Sequence, residues 1–490
     1  MALAYYQHYI NGEFCDGELG RGLSLNPTNE QNWAQFALAG AKDVERAVSA
    51  AQQALEDPAW RDLSQSARGK LLYRLADLIE EQASELARLE TLDSGKLYAE
   101  TSQQTRYVAD YYRYYAGLAD KIEGAVLPID KPDMQVFTRP RPIGVVAAVV
   151  PWNAQMFLTA TKLGPALAAG CSVVLKVSEI APIALFAFAK LIDQVGFPRG
   201  VVNIITGDAQ NCAIPLTSHP AIDRIAFTGG TEAARHVVRN SAHNFALTSL
   251  ELGGKSPIIV FDDANLENAA HGLIAGNFGA SGQSCVAGSR AIVARSCKEK
   301  LIDLISKKIE GINIGDPMDA QSHMGPLCTK AQIDKISRVI AKSQEQGAEI
   351  IFGGQPLERS GHFMPPTLLL VHQAQTESLK CELFGPVMSM QTFESEQEAI
   401  ALANDSDFGL GAGLFTENLA RAHRVSGAIR SGICWINTYR AISPIAPFGG
   451  LNQSGYGREA GLQSIQDYIR SQTVWINTSD KPMANPFTMR

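Results

Sequence analysis

Much is missing from this chain of 490 residues. It has no apolar run of the roughly eighteen residues a membrane span needs, so no spanning helix is expected. It has no block of like charge, and a formal net charge of -7 argues against a nucleic-acid partner. Eight cysteines are scattered at 15, 171, 212, 285, 297, 328, 381 and 434, with no CxxC pair and no zinc-ligand spacing. The expectation is a reduced, cytoplasmic protein without a structural metal. The opening stretch MALAYYQHYINGEFCDG has no basic segment leading into an apolar run, so no signal peptide is read there. The glycine fingerprint GxGxxG is also absent, which counts against an ordinary Rossmann dehydrogenase.

What is present is globular. Hydrophobic residues make up 46% and charged residues 19%, and the length calls for two or three domains. Asn11-Gly12 between short β-prone runs predicts a hairpin. Apolar residues at three- and four-residue intervals predict helices from about 41 to 117, with Gly95 as a stop. Strand and helix then alternate: IGVVAAVVPWN, TKLGPALAAG, CSVVLKVSE, APIALFAFAKLIDQVG, GVVNIITG, RIAFTGG, TEAARHVVRN. LTSLELGGKSPIIVF reads as one more strand. Near-continuous aliphatic strands separated by helices predict a parallel, doubly wound sheet covered on both faces. After about residue 255 the alternation repeats as a second α/β domain. DMQVFTRPRP and SQTVWINTS read as strands that belong to neither sheet.

Several residues stand where chemistry is possible. Asn153 ends a strand in Pro-Trp-Asn, where an amide could donate to a developing oxyanion, or simply form a turn. Glu251 interrupts an apolar run before paired glycines. A buried carboxyl there would have a raised pKa suited to a general base; a solvated or ion-paired glutamate is the plainer reading. Cys285 lies among small residues in SGQSCVAGSR, as a reactive thiol or a small residue in a tight turn. No histidine stands beside it, which weakens a papain-like scheme. Lys176 and Glu179 follow a strand and reach a ribose or only solvent, and the glycines of AFTGG let backbone approach a dinucleotide.

Taken in order, IGVVAAVVPWN, LKVSE, AFTGG, LELGGKSP, GQSCVAGSR, ELFGPV and PFGGLNQSGYGRE resemble the NAD(P)-dependent aldehyde dehydrogenase superfamily over nearly the whole length. The likeness is to the non-acylating type, betaine-aldehyde-dehydrogenase-like in general pattern. It implies a Rossmann-like NAD domain from 1–123 and 142–253, a catalytic α/β domain from 254–452, and a small β oligomerisation arm from 124–141 and 470–490. It implies Cys285 as nucleophile, Glu251 as general base and Asn153 as oxyanion donor with the Cys285 N–H. The thiolate would add to the aldehyde, hydride would pass to the nicotinamide, and Glu251 would activate the water that releases the acid.

The same resemblance assigns cofactor contacts to Trp152, Lys176, Ser178, Glu179, Gly207, Gly229, Gly230, Thr231, Leu252, Gly253, Glu382 and Phe384. Glu179 argues for NAD in preference to NADP. Val177 stands where the family has proline, Gly230 where serine is usual, and Ala234 where glycine is usual. The substrate pocket would be lined by Met156, Phe157, Ser284, Val286, Tyr439, Arg440 and Phe448. Ala154, Thr161, Gly279 and Ile442 are small or aliphatic where aromatics are frequent, so the pocket is roomy and has no cage for a quaternary ammonium. Arg440 steers a polar or carboxylated aldehyde or pairs at the surface. Glu459 matches a proton-relay carboxylate of some relatives. Lys162 falls on the first helix after Trp152.

The expected partners are a small aldehyde and further copies of the chain, as homodimer or homotetramer, with no nucleic acid, membrane or metal. A CoA-acylating relative usually lacks the base, so Glu251 argues against one. A cofactor-independent cysteine hydrolase and a non-catalytic structural member of the fold remain as alternatives.

Overall fold

A computed structural model describes residues 2–483 and 485–488. The first sheet has eight strands. Its parallel centre runs Leu247–Glu251, Arg224–Thr228, Val145–Val149, Ser172–Val177, Val202–Thr206. Almost every residue of the central strands is buried, because helices cover both faces. The hairpin His8–Ile10 and Glu13–Cys15 adds antiparallel strands at one edge, with Asn11 and Gly12 both at positive φ as a tight two-residue turn requires.

The second sheet has seven strands, ordered Glu349–Phe352, Thr367–Leu370, Val387–Phe393, Arg290–Ala294, Pro257–Val260, Gly411–Phe415, Ile433–Ile436. Only Glu349–Phe352 runs antiparallel. Met134–Pro142 pairs antiparallel with Ile469–Asn477 on one side and Val126–Leu127 on the other, in a sheet of their own. Strands Ala4–Tyr6, Arg21–Asn26 and Gln31–Ala37 form another small sheet that periodicity did not mark. The helices between 41 and 118 are separate pieces, and one ends at Ser94 with Gly95 in the left-handed region. Among the described residues no helix is long and apolar enough to cross a membrane.

One reading is corrected. LTSLELGGKSPIIVF is two strands, Leu247–Glu251 and Pro257–Val260, and they belong to different sheets. The hydrophobic run looks continuous because both halves are buried. Gly253 and Gly254 break it where the chain passes hard against other groups. A Cβ on Gly253 would collide with the Glu382 carboxylate, and one on Gly254 would lie 2.7 Å from the Cys285 carbonyl oxygen. After the second sheet the chain returns to the first: Gly455–Tyr456 pairs with Leu250 and Glu251. That return brings residues near 459 back beside the helix Gln155–Ala169.

Candidate functional site

The loop carrying Cys285 is held in an unusual backbone shape. Ala280 and Ser281 both have φ of 53°, and Gly282 follows at 74°. Two consecutive non-glycine residues in the left-handed region cost on the order of 1 kcal/mol each, so other contacts must hold them. The Ala280 N–H donates to Glu100 Oε1 at 3.0 Å, and the Ser281 hydroxyl donates to the Gly325 carbonyl at 2.8 Å. Gln283 Oε1 accepts the Cys328 N–H at 2.8 Å, while its backbone carbonyl accepts from Asn153 Nδ2 at 3.1 Å. Gly282 suits its place twice over: its φ is positive, and a Cβ would strike the Gly385 backbone.

The Cys285 thiol is half-buried. Burial pushes its pKa up to about 12, and the carboxylates of Glu382 and Glu251 add to the rise. The Val286 N–H and the Arg440 guanidinium pull the other way. Burial thus favours the protonated form of the thiol.

Glu251 ends its strand only 3% exposed, and neither carboxyl oxygen has a hydrogen-bond partner. Burial raises its pKa well above the ordinary carboxylate value. The nearby Glu459 carboxylate raises it further, against Lys162 and Arg458. A buried carboxyl without a hydrogen-bond partner costs stability, and such groups cluster at functional sites. Lys162 lies fully buried between Glu459 and the Thr228 hydroxyl, the latter at 2.6 Å, and Thr161 donates to the other Glu459 oxygen at 2.8 Å.

Two cavities meet at Cys285. The larger, 810 Å³, is lined by Asn153, Ala154, Phe157, Ser284, Val286 and Phe448, and also by Glu100, Arg106, Tyr107 and Arg440. The smaller, 230 Å³, is lined by Trp152, Gly229, Gly230, Glu251, Leu252, Gly253, Glu382 and Phe384. Asn153, Leu158 and Cys285 line both. Trp152 and Phe384 meet edge-on at 5.5 Å, and Glu382 accepts the Gly254 N–H at 3.0 Å. Beyond the small cavity, the helix Thr231–Ser241 begins without a side-chain cap, and nothing stands within 4 Å of where a Gly230 Cβ would be. Free N–H groups beside open space suit a phosphate. Lys176 pairs with Glu179 at 2.8 Å at the end of its strand. Among the described residues no cluster of side chains could hold a metal ion.

Some anticipated residues lie elsewhere. Met156 points into the helical core, 1% exposed, because it falls on the inner face of its helix. Tyr439 does not line the large cavity. Its hydroxyl donates to the Val286 carbonyl at 2.9 Å and its ring packs on Trp435 at 4.8 Å, so it braces the Cys285 loop from behind. Gly207 packs against Cys212 and Ala39 and is outside the small cavity, as are Lys176, Ser178, Glu179 and Thr231 near the strand ends further out. Sequence reading missed Glu100, Arg106 and Tyr107, which one helix, Tyr98–Leu118, brings to the cavity wall. The available signal was the recurrence of Glu100, Gln103, Gln104 and Tyr107 at three- and four-residue spacing along that helix. It also missed Gln332 and Lys335, which line the small cavity; Lys335 donates to the Glu382 carbonyl at 2.6 Å.

A thiol shared by a substrate-sized space and a narrower cleft at the strand ends of a doubly wound sheet suits an oxidoreductase that works through a covalent step. The chain belongs to the aldehyde dehydrogenase family, whose profile matches residues 16–474. It is 54% identical over 486 residues, 99% of either chain, to (Z)-2-((N-methylformamido)methylene)-5-hydroxybutyrolactone dehydrogenase of Acinetobacter baylyi. The NAD+ complex of an aldehyde dehydrogenase from Bacillus cereus superposes at a TM-score of 0.95, with 38% identity over 97% of each chain. Betaine aldehyde dehydrogenase of Staphylococcus aureus, in complex with NAD+, gives 0.96 at 36% identity, over 99% of this chain and 97% of that one.

Proposed function

We propose that this protein oxidises a polar or carboxylated aldehyde to the carboxylic acid with NAD, through a covalent intermediate on Cys285. The observation that carries the reading is the position of Cys285 and Asn153 on the wall of both cavities. An aldehyde in the larger cavity presents its carbonyl carbon to the sulfur, and Asn153 Nδ2 with the Cys285 N–H receives the oxygen as it becomes anionic. Trp152, Glu382 and Phe384 of the smaller cleft would hold NAD, which would supply the acceptor for the hydride. Glu251 takes a proton from the thiol on the way in and from water on the way out, when the thioester is hydrolysed.

The residues fit the cofactor. Trp152 and Phe384 enclose the inner cleft, the uncapped start of Thr231–Ser241 offers N–H groups to phosphates, and Glu179 offers a carboxylate to a ribose. Among the described residues no histidine lines either cavity, which disfavours a cysteine hydrolase. Arg106 and Arg440 on the wall of the larger cavity favour a polar or anionic substrate, and Ala154 and Ile442 leave its aromatics Tyr107, Phe157 and Phe448 short of a closed cage for a quaternary ammonium. A 5-hydroxybutyrolactone, the substrate class in the name of the Acinetobacter relative, is the ring-closed form of a 4-oxo acid.

The arm strands expose Trp475, Ile476, Val126, Leu127 and Met134, a surface that fits a second copy of the chain. The proposed domain division follows the sheets, with residues near 455 joined to the cofactor sheet. Eight free thiols accord with a cytoplasmic setting. The test is Cys285→Ser: aldehyde-dependent NADH formation should fall about a thousandfold or more. Retained activity would sink the proposal.

A further inference from the structure

Arg440 occupies space that exists because residue 279 is glycine. Its Nη1 stands where a Gly279 side chain would begin, and any Cβ there would collide with it. The same Nη1 donates to the Ala275 carbonyl at 3.0 Å. The Arg440 backbone is left-handed, φ 64°, which aims the side chain at this wall. Among the described residues no carboxylate lies within ion-pair distance of it. One nitrogen is anchored, and the other donors remain available to the 810 Å³ cavity that Arg440 lines together with Cys285. The loop bearing it is pinned from the opposite side, where the Tyr107 hydroxyl donates to the Ile442 carbonyl at 3.0 Å. A guanidinium fixed by one nitrogen and free on its others is arranged to grip a carboxylate.

Resting on the aldehyde-oxidising reading above, we propose that Arg440 is the specificity-determining residue that binds the carboxylate of a short-chain oxo acid, and that it thereby holds such a substrate in ring-opened form. A neutral hydroxylactone has a lactone carbonyl but no aldehyde carbonyl, so thiol addition there leaves no hydride to transfer. On opening, the ring C–O bond breaks, the hydroxyl-bearing carbon becomes the aldehyde, and one proton leaves as the carboxylate forms. Binding that carboxylate at Arg440 draws the equilibrium toward the open anion and delivers its far end toward Cys285. The reaction that supplies the substrate must then be one that leaves an aldehyde and a carboxylate on the same short chain.

The experiment compares kcat/KM for 4-oxobutanoate and for butanal in the wild type, Arg440→Ala, Arg440→Lys and Gly279→Ala. The wild type should favour 4-oxobutanoate by about tenfold or more, and Arg440→Ala should reduce that ratio by about tenfold or more, chiefly through KM. Arg440→Lys should keep part of the ratio, and added guanidinium should restore 4-oxobutanoate turnover to Arg440→Ala more than butanal turnover. Gly279→Ala, which displaces the guanidinium without removing it, should lower the ratio too and serves if Arg440→Ala does not fold. An unchanged ratio in the variants, or a wild-type preference for butanal, overturns the assignment of Arg440. Absence of NADH formation with every aldehyde would instead overturn the aldehyde-oxidising reading itself.

Discussion

Lys162 and Glu459 form a buried ion pair one strand over from Glu251: Lys162 also donates to Thr228, and Thr228 stands in register beside Glu251. The two partners are 297 residues apart in sequence. Lys162, Glu459 and Glu251 thus share a buried space, with the Arg458 guanidinium also acting on Glu251. Removing the Lys162 cation leaves an uncompensated carboxylate, which typically costs about 3–5 kcal/mol. Lys162→Met should therefore lower the urea midpoint sharply, and pairing it with Glu459→Gln should recover much of the loss. A single variant as stable as the wild type would show that the pair contributes little.

In the proposed mechanism, Glu251 sets the pH dependence. Its pKa lies above the usual carboxylate value through burial, so the ionised base appears only at higher pH than for a free glutamate. The thiol is also raised, to about 12. Activity should climb with pH through and above neutrality. Glu251→Gln should depress steady-state turnover by roughly a hundredfold or more and flatten that climb. If thiol addition persists in the variant, one NADH per subunit should form in a burst and a thioester on Cys285 should be visible by mass spectrometry. An unaltered pH profile would remove Glu251 from the role of base.

Asn153 offers an amide whose nitrogen already touches the carbonyl before the reactive loop's last turn. Asn153→Ala should lower kcat by about a hundred- to a thousandfold, the range for loss of one oxyanion donor, with a smaller change in KM. A loss confined to KM would make Asn153 a positioning residue for the loop.

Glu179 is 40% exposed at its side chain and held by Lys176. In the proposed cofactor site its carboxylate would repel the extra phosphate of NADP. Glu179→Gln should narrow the preference for NAD over NADP by about tenfold, read from kcat/KM for each cofactor. Equal preference in both proteins would place the discrimination elsewhere.

Much of the site was legible because chemistry-bearing residues interrupt runs of another character. Glu251 is a charge in an apolar strand, and Cys285 is a thiol among small residues. Lys162 carried no such signal: a lysine within a helix looks solvated until the partner that neutralises it is known. Met156 and Tyr439 misled for a related reason. Proximity along the chain to Asn153 or Arg440 does not say which way a side chain points, and here one turns into the helical core and the other braces a loop.

By itself the sequence determined the two parallel sheets, since long aliphatic strands between helices are stable only when buried on both faces. It also singled out Cys285, Glu251 and Asn153 as the candidate thiol, carboxyl and amide. The tertiary structure alone decided that LTSLELGGKSPIIVF would be split between sheets, that the Tyr98–Leu118 helix would wall the cavity, and that Arg440 would lie over Gly279. Those outcomes depend on contacts between segments far apart in the chain, where packing and the pairing of buried charge, rather than local backbone preference, fix the geometry.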